Sequence, residues 1–328
     1  MRDNTTRSAS LRHARTKGPA VLLALMAFTT TAASTAQAAD ARGTAPVHTP
    51  SARAATGVSG THVADDLRTL EAAHDVRIGA FAFDTGTGRT VSYRGNESFP
   101  SLSTFKAMVC AAVLDRARHA EPGLMDKVIH WTKADEVPNS PLTQGHGETG
   151  MTVADLCRAA ITRSDNTAGN MVLRQVGGPE GLTRYYRSLG DPVSRLDRWE
   201  PELNDWRPGE RRDTTTPAAM GRDLARTSLG CALTPPDRAT LNTWLRATAT
   251  GDARIRAGVP KDWTVGDKTG TTDSYGSAND IAVAWPRSGH PVIIAIYTNH
   301  TAADAATEDA VVRSTATTLV DGLGLSGS

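Results

Sequence analysis

Strand-like segments lie at both ends of this chain, and helix-like segments fill the stretch between them. Residues 77–83 (RIGAFAF) alternate, and a Gly-Thr-Gly turn at 86–88 separates them from a second strand-like run at 91–93, which predicts a hairpin. Three more strands are predicted at 264–268, 281–285 and 292–297. Because the early and the late strands both need partners, we expect them to pair in one sheet, with the middle of the chain forming a helical insert.

Helical periodicity accounts for most of the remaining sequence. Val63, Leu67 and Leu70 recur at three- and four-residue steps and predict a helix before the first strand. Several later helices begin with proline, which the first helical turn tolerates because its N–H groups have no partner within the helix. These helices are predicted at 103–118, 153–162, 166–176, 179–188, 217–228, 236–246 and about 303–323.

The N-terminus has the pattern of an export signal. A basic start precedes the apolar residues 20–28 (AVLLALMAF), a run too short to span a bilayer, and an A-x-A sequence at 36–38 is typical of a cleavage site. These features predict a signal peptide at 1–38 and a secreted protein without stable membrane contact, with a membrane anchor as the alternative. Residues 39–58 are rich in Ala, Thr, Ser and Gly, which predicts a disordered leader.

Charge and metal-ligand patterns exclude several classes of function. Lys and Arg number 36 and Asp and Glu 35, which gives no electrostatic case for a nucleic acid or an anionic membrane as partner. The three cysteines lack metal-ligand spacing and the nine histidines form no H-x-x-x-H pair, so we expect no metal and no cofactor. We also expect a monomer.

Ser103 and Lys106 are three residues apart in a predicted helix and therefore share one face. A serine hydroxyl becomes a good nucleophile when a base takes its proton, and a lysine whose pKa is lowered by burial can be that base. The alternative is a helix N-cap followed by a surface lysine. The apolar run around Lys106 (FKAMVCAAV) favours the catalytic interpretation, since a solvated face would carry more charge.

Two further motifs each have a structural and a catalytic interpretation. The S-D-N motif at 164–166 fits a capping turn, or else a hydroxyl that gives a proton to a leaving nitrogen beside an amide that holds the substrate. The K-T-G motif at 268–270 lies on or just after a predicted strand. It fits a solvated strand end, or else a charge and a hydroxyl for a substrate carboxylate, with a glycine that lets the ligand come close.

The ordered set S-x-x-K, S-D-N and K-T-G resembles the signature of class A serine β-lactamases and penicillin-binding proteins. The sequence is similar to the class A enzymes over about 60–325. This resemblance implies an α+β fold (α/β sandwich): an antiparallel five-stranded sheet flanked by terminal helices, plus an all-helical insert. The β-lactamase domain would span 59–328, with a sheet subdomain at about 59–98 and 247–328 and a helical subdomain at about 99–246.

The segment 196–215 resembles the omega loop of that family, with an E-x-x-L-N core at 200–204. Arg198 and Asp213 match the ion pair that pins this loop in the family. An ordinary surface loop is the alternative for this stretch. In the family, the residues matched by Glu200 and Asn204 hold the water that hydrolyses the acyl-enzyme, a device that penicillin-binding transpeptidases lack.

The resemblance implies hydrolysis of the β-lactam ring of penicillins, and of some cephalosporins, by acyl transfer. Ser103 would attack the ring carbonyl, and its proton would leave through Lys106 or through Glu200 and a water. Ser164 would protonate the ring nitrogen, and the N–H groups of Ser103 and Thr271 would form the oxyanion hole. The other matched residues would bind substrate: Asn166 the side-chain amide, and Lys268, Thr269, Gly270 and Arg254 the carboxylate.

Some positions depart from the common family pattern. No arginine follows the K-T-G motif on the next strand, so Arg254 is matched from the segment before it, with Arg256 close by. Asn139 stands where many members have an aromatic residue at the rim of the site. Leu102 and Thr272 stand where one carbapenem-hydrolysing group has cysteines, which argues against strong carbapenem hydrolysis.

The cysteines also bear on the resemblance. Cys110 and Cys157 fall where some family members carry a disulfide, so the resemblance implies a disulfide here; two buried thiols are the alternative. Cys231 matches no family pair, and we expect it to be a buried free thiol.

Two other functions share part of this pattern: a D-Ala-D-Ala peptidase, and a penicillin sensor that binds covalently without turnover. The residues Glu200 and Asn204 disfavour both. A sensor also requires a membrane segment or a partner domain, and we identify neither after residue 38.

Overall fold

The structure, a computed structural model, describes residues 58–287 and 289–326. The expected signal peptide and residues 39–57 of the expected leader lie outside the described residues. Within the described ranges, no helix combines the length and the apolar character needed to cross a membrane.

Five strands form an antiparallel sheet in the order β2-β1-β9-β8-β7, and two short strand pairs, β3–β6 and β4–β5, lie outside it. In chain order the strands are β1 (Val76–Asp84), β2 (Thr90–Tyr93), β3 (Phe99–Pro100), β4 (Val128–Ile129), β5 (Met151–Thr152), β6 (Thr214–Thr215), β7 (Thr264–Thr272), β8 (Ser277–Trp285) and β9 (Val292–His300).

The helices agree closely with the sequence periodicity. In chain order they are α1 (Val58–His74), α2 (Phe105–His119), α3 (Val153–Thr162), α4 (Asn166–Gln175), α5 (Gly178–Ser188), α6 (Pro217–Ser228), α7 (Pro235–Arg246), α8 (Ile255–Gly258) and α9 (Asp309–Leu323). Helices α5, α6 and α7 each have a proline at the first or second position, as expected.

The expected pairing of early and late strands is confirmed. β1 forms a hairpin with β2 and pairs on its other side with β9, where Ala80 lies opposite Ile296. Strands β7, β8 and β9 complete the sheet as a meander. The sheet therefore joins the two ends of the domain. The helical insert lies between β2 and β7 in the sequence.

Alternating side chains of the sheet enter two separate cores, because successive strand residues point to opposite faces. On β9, Ile294 and Ile296 belong to a core shared with helices α1, α8 and α9, whereas Ile293 and Ala295 belong to a core shared with the insert. Helix α2 lies deep in the second core and is buried from Phe105 to Leu114. This burial fixes the start of α2, which carries the S-x-x-K motif.

Several element boundaries differ from the sequence prediction, and two of these differences have a clear physical cause. β7 continues through the K-T-G motif to Thr272, where the expected strand stopped at 268; its polar residues pair with β8, for example Thr269 with Asp280. The last helix begins at Asp309, so its predicted start at about 303 was wrong. The alanine-rich segment before it packs instead on the β7–β8 turn, where Tyr275 N donates to Ala303 O at 3.0 Å. This tertiary contact overrides the helix propensity of alanine.

Candidate active site

Ser103 lies in a 3-10 helix, Leu102–Thr104, that continues directly into α2. N–H groups in such a first turn lack acceptors within the helix, which suits the Ser103 N–H to an oxyanion. Leu102 has a φ of 47°, a strained conformation beside the nucleophile. A Cβ at Gly270 of β7 would lie 2.9 Å from Leu102 Cβ and 3.2 Å from Ser103 N, so only glycine lets this strand lie so close to Ser103.

The Ser103 hydroxyl contacts both candidate bases. Its Oγ donates to Glu200 Oε1 at 3.1 Å and accepts from Lys106 Nζ at 2.9 Å. Ser103 and Glu200 are 8% and 2% exposed, so these hydrogen bonds form in a largely desolvated site. The structure thus brings the nucleophile, the lysine and the omega-loop carboxylate into direct contact.

Lys106 is fully buried and is the centre of this cluster. Its Nζ lies 3.0 Å from Glu200 Oε1 and donates to Ser164 O at 2.8 Å and Asn166 Oδ1 at 2.5 Å. Burial lowers the pKa of the Lys106 ammonium, and the Glu200 carboxylate opposes that shift. The surface-lysine alternative is therefore wrong.

The S-D-N motif forms a capping turn, and this turn also lies against both lysines of the site. Asp165 is the N-cap of α4, and its Oδ1 accepts from Ala168 N at 2.8 Å. Ser164 has a φ of 54°, and its two oxygens face the two lysines: its carbonyl accepts from Lys106 and its Oγ accepts from Lys268 Nζ at 3.0 Å. The cap therefore orients its two neighbours, and Ser164 links the S-x-x-K and K-T-G motifs.

Lys268 is also fully buried, on β7. Besides Ser164, its Nζ donates to the carbonyl of Thr269 at 2.7 Å. Burial, together with repulsion from Lys106, lowers the pKa of Lys268 to about 7. Thr269 is held in turn by Thr250, whose Oγ1 lies 2.7 Å from Thr269 Oγ1.

The omega loop is pinned by the expected ion pair. Arg198 Nε donates to Asp213 Oδ2 at 2.6 Å, and Asp213 Oδ1 accepts from the backbone N–H groups of Asp197 and Arg198. The same loop brings Asn204 to Glu200, where Asn204 Nδ2 donates to Glu200 Oε2 at 2.6 Å. Asn204 Oδ1 is buried and has no hydrogen-bond partner among the described residues.

Two residues that the sequence analysis missed support this arrangement. Asn170 on α4 binds the backbone of Glu200 with both ends of its amide: Nδ2 donates to Glu200 O at 2.9 Å, and Oδ1 accepts from Glu200 N at 3.0 Å. A Cβ at Gly169 would lie 2.9 Å from Lys106 Cε. Asn166 and Asn170 are one helical turn apart, and that spacing was the signal that could have identified Asn170.

Arg254 lies beneath the K-T-G strand, and its nitrogens bind protein groups. Its Nη1 donates to the carbonyls of Gly270 and Asn279, its Nε donates to Asp309 at 2.7 Å, and its Nη2 donates to Thr271 Oγ1 at 2.8 Å. It is 5% exposed. Its guanidinium is therefore paired with Asp309 and bound to the K-T-G strand at Gly270 and Thr271. The neighbouring Arg256 instead pairs with Asp267.

The rim positions are placed as follows. Asn139 has a φ of 59°, and its carbonyl accepts from Asn166 N at 3.0 Å. Thr272 Oγ1 donates to Asn204 O at 3.3 Å, which ties β7 to the omega loop. Asn166 Nδ2 is held by Pro138 O at 2.9 Å.

The cysteines divide into a buried pair and an exposed residue. Cys110 and Cys157 are both buried thiols, and Cys110 Sγ lies 3.7 Å from Cys157 O. Burial and contact with Cys157 raise the pKa of the Cys110 thiol. Cys231 is exposed, so the expectation of a buried thiol was wrong; it lies in the short turn between α6 and α7, where few side chains cover it.

Comparison with known proteins agrees with this geometry. Residues 62–323 match a model described as the beta-lactamase enzyme family. The chain is 51% identical to β-lactamase AST-1 of Nocardia asteroides over 255 residues, which are 78% of this chain and 82% of that protein. The crystal structure of a β-lactamase from Streptosporangium roseum is 60% identical, with a TM-score of 0.80, and the match covers 81% of this chain and 100% of that one.

A class A β-lactamase of the last common ancestor of Gram-negative bacteria is 49% identical, with a TM-score of 0.76, over 80% of this chain and 99% of that one. This chain belongs to the class A β-lactamase family. The enzyme is a hydrolase that opens β-lactam rings (EC 3.5.2.6), an activity that gives antibiotic resistance. The α+β fold with a five-stranded antiparallel sheet and a helical insert is confirmed.

Proposed function

We propose that this β-lactamase hydrolyses penicillins and some cephalosporins through an acyl-enzyme on Ser103, which a water activated by Glu200 then hydrolyses. The observation that carries the proposal is the hydrogen bond of 3.1 Å between Ser103 Oγ and Glu200 Oε1. A carboxylate that contacts the nucleophile directly is also within one-water reach of the ester that the nucleophile forms.

In the acylation step, Ser103 attacks the ring carbonyl while its proton passes to Glu200. This route is favoured over transfer to Lys106 because the hydroxyl donates to Glu200 and accepts from the lysine. The Lys106 ammonium would stabilise the developing negative charge on Ser103 Oγ, and the N–H groups of Ser103 and Thr271 would stabilise the oxyanion. Ser164, whose Oγ accepts from Lys268, keeps its own proton for the ring nitrogen.

In the deacylation step, the water would lie between Glu200 and Asn204. Glu200 has the carboxylate that takes a proton, and the buried Oδ1 of Asn204 is an acceptor with no partner among the described residues. The Asn170 clamp on the Glu200 backbone supports a fixed position for this base. General-base assistance of this kind contributes about 10²–10⁴ in rate.

Substrate binding would use the K-T-G strand and the S-D-N turn. Lys268 and Thr269 are proposed to bind the substrate carboxylate, with the close approach made possible by Gly270. Arg254 would act through Thr271, whose hydroxyl it holds at 2.8 Å. Asn166 and the Thr271 carbonyl would bind the side-chain amide. Leu102 and Thr272 stand where one carbapenem-hydrolysing group has cysteines, so we expect carbapenems to be hydrolysed only weakly.

The test is Glu200→Ala, followed by rapid-mixing kinetics with benzylpenicillin and by intact-protein mass spectrometry. We expect acylation to remain measurable, turnover to fall about 10²–10⁴-fold, and the penicilloyl adduct to accumulate on Ser103. Glu202→Ala is the matched control, because Glu202 is an exposed carboxylate of the same loop. Wild-type turnover by Glu200→Ala would refute the role of this residue.

We also propose that the enzyme is exported with cleavage of its signal peptide near residue 38, that it is a monomer, and that an oxidant of the oxidising compartment converts the Cys110 and Cys157 thiols to a disulfide. The two thiols are adjacent, and export leads to an oxidising compartment. Closing this loop would stabilise the fold by about 4 kcal/mol in the chain-entropy model. Mass spectrometry and sedimentation of the protein from culture medium would give the N-terminus, the mass and the thiol count. We expect the protein from the medium to have one alkylatable thiol where the reduced protein has three, and we expect the Cys231→Ser variant to keep the disulfide. Three alkylatable thiols in the protein from the medium would contradict the proposal.

A further inference from the structure

A cavity of about 800 Å³ opens on the side of the omega loop that faces the end of β9. None of the proposed catalytic or substrate-binding residues lines it. Its volume is within the range of small-molecule binding pockets. Four arginines contribute to its walls, together with a single acidic residue, Glu210: Arg77, Arg187, Arg195 and Arg211.

Two of these arginines have carboxylate partners, and two do not. Arg77 pairs with Glu97 at 3.0 Å, and Arg195 pairs with Asp197. Among the described residues, neither Arg187 nor Arg211 lies within 4.0 Å of a carboxylate oxygen.

Neither of these two arginines is in direct contact with a carboxylate. Arg187 Nη1 donates to the carbonyls of Asp191 and Ser194, and the buried carboxyl of Asp223 acts on its charge from farther away. Glu210, the acidic residue of the wall, is already paired with Arg212 at 2.6 Å, and Arg211 is exposed. The lining of the cavity therefore has four cationic side chains and one anionic side chain.

Trp206 contributes its ring to the same wall. Its side chain is 5% exposed, and the ring packs nearly at a right angle against Tyr275, with the two ring centroids 5.9 Å apart. Val193 and Pro208 line the cavity beside it and give it apolar surface; Val193 is 46% exposed.

We propose that this cavity binds a small organic anion that carries two or more carboxylate or phosphate groups on an apolar body. The anionic groups pair with Arg187 and Arg211, and the apolar body packs on Val193 and Pro208. This site is separate from the β-lactam site, which binds its carboxylate through the K-T-G strand.

The test uses benzene-1,3,5-tricarboxylate as probe and isothermal titration calorimetry on the mature enzyme. We expect saturable binding that weakens with added salt, because charges at a partly open site are screened. The neutral benzene-1,3,5-tricarboxamide has the same shape and should not bind. Absence of saturable binding by the tricarboxylate would overturn the proposal.

Variants locate the binding. Arg211→Gln should weaken binding about tenfold, since it removes a charge-assisted hydrogen bond to the anion. The Arg211 side chain has no hydrogen bond or ion pair among the described residues, so its replacement should not affect folding. Arg184→Gln is the matched control: Arg184 lies on α5 like Arg187 but outside the cavity, and it pairs with Glu180.

Binding that is the same in Arg211→Gln and Arg184→Gln would overturn the proposal. Binding lost in Lys268→Met and kept in Arg211→Gln would assign the probe to the β-lactam site, which also overturns it. Unfolding midpoints of each variant, measured in the absence of probe, ensure that a loss of affinity is not a loss of fold.

Discussion

The catalytic site contains two fully buried lysines whose surroundings differ. Lys106, on the insert side, contacts the carboxylate of Glu200 at 3.0 Å. Lys268, on the sheet side, donates to a hydroxyl and a carbonyl, and among the described residues no carboxylate oxygen lies within 4.0 Å of its Nζ. Burial lowers the pKa of both, but among the described residues only Lys106 has a carboxylate in direct contact.

The difference indicates that the Lys106 ammonium stabilises the fold, whereas the Lys268 ammonium is available to bind the substrate. Removing one member of a buried ion pair leaves the other uncompensated, so Lys106 and Glu200 depend on each other. Lys268 has no such partner, and its counterion in the proposed mechanism is the carboxylate of the β-lactam. The same residue type, at the same degree of burial, therefore has two different energetic roles.

The largest expected effect comes from replacing each lysine with methionine. Lys106→Met should destabilise the fold by about 3–5 kcal/mol, because Glu200 stays buried without its cation. It should also slow acylation about 10²–10³-fold, because no ammonium stabilises the negative charge that develops on Ser103 Oγ. Lys268→Met should leave stability unchanged or raise it, and should mainly raise KM. Urea unfolding of both variants measures the free energy of unfolding, and rapid-mixing kinetics measures the acylation rate.

A double variant checks the cause of the first effect. Lys106→Met with Glu200→Gln removes both charges, so most of the lost stability should return. If the double variant is as unstable as Lys106→Met alone, the destabilisation comes from lost packing and the comparison between the two lysines fails.

An intermediate effect is expected from two glycines, one beside each lysine. Gly270→Ala would force a Cβ against Leu102 and the Ser103 backbone, which cannot move without displacing the nucleophile. Gly169→Ala would meet the side chain of Lys106, which can adjust. Overpacking of this kind costs about 1–3 kcal/mol, so Gly270→Ala should slow acylation about tenfold or more, and Gly169→Ala should slow it less. Equal losses in acylation rate would show that the two sides of the site are equally rigid.

The smallest effect is a change in the pH profile. Only the charged form of Lys268 attracts the substrate carboxylate, and its pKa in the free enzyme is about 7. As pH rises through 7 the ammonium is lost, so kcat/KM for benzylpenicillin should have an alkaline limb that begins near neutrality. Lys268→Arg should shift this limb to higher pH, since arginine stays protonated. An unchanged alkaline limb in that variant would assign it to another group.

The same pKa shift has a consequence for stability. The folded-state pKa of Lys268 lies below the ordinary lysine value of 10.5, so the unfolded chain binds more protons between about pH 7 and 10.5. The contribution of Lys268 to the free energy of unfolding therefore increases with pH across that window. Lys268→Met should remove this part of the pH dependence of stability.

The sequence predicted most of the secondary structure because periodicity and proline positions are local signals. The bounds of α3 and α6 agree with the prediction, and α5 and α7 begin one residue earlier than expected. The start of α9 was wrong because the alanine-rich segment before it contacts a distant turn. Asn170 was missed for a similar reason: an asparagine in a helix is chemically ordinary until the omega loop packs against it.

The sequence alone determined the order of the motifs, the pairing of the two ends in one sheet and the Arg198–Asp213 anchor. The tertiary structure decided which atoms meet, since Ser103 and Glu200 are 97 residues apart in the chain and Ser164 and Lys268 are 104 apart. It also decided that the Arg254 guanidinium binds protein groups and that Cys231 is exposed. Burial and long-range contact depend on how the layers pack, and no local pattern of residues encodes that packing.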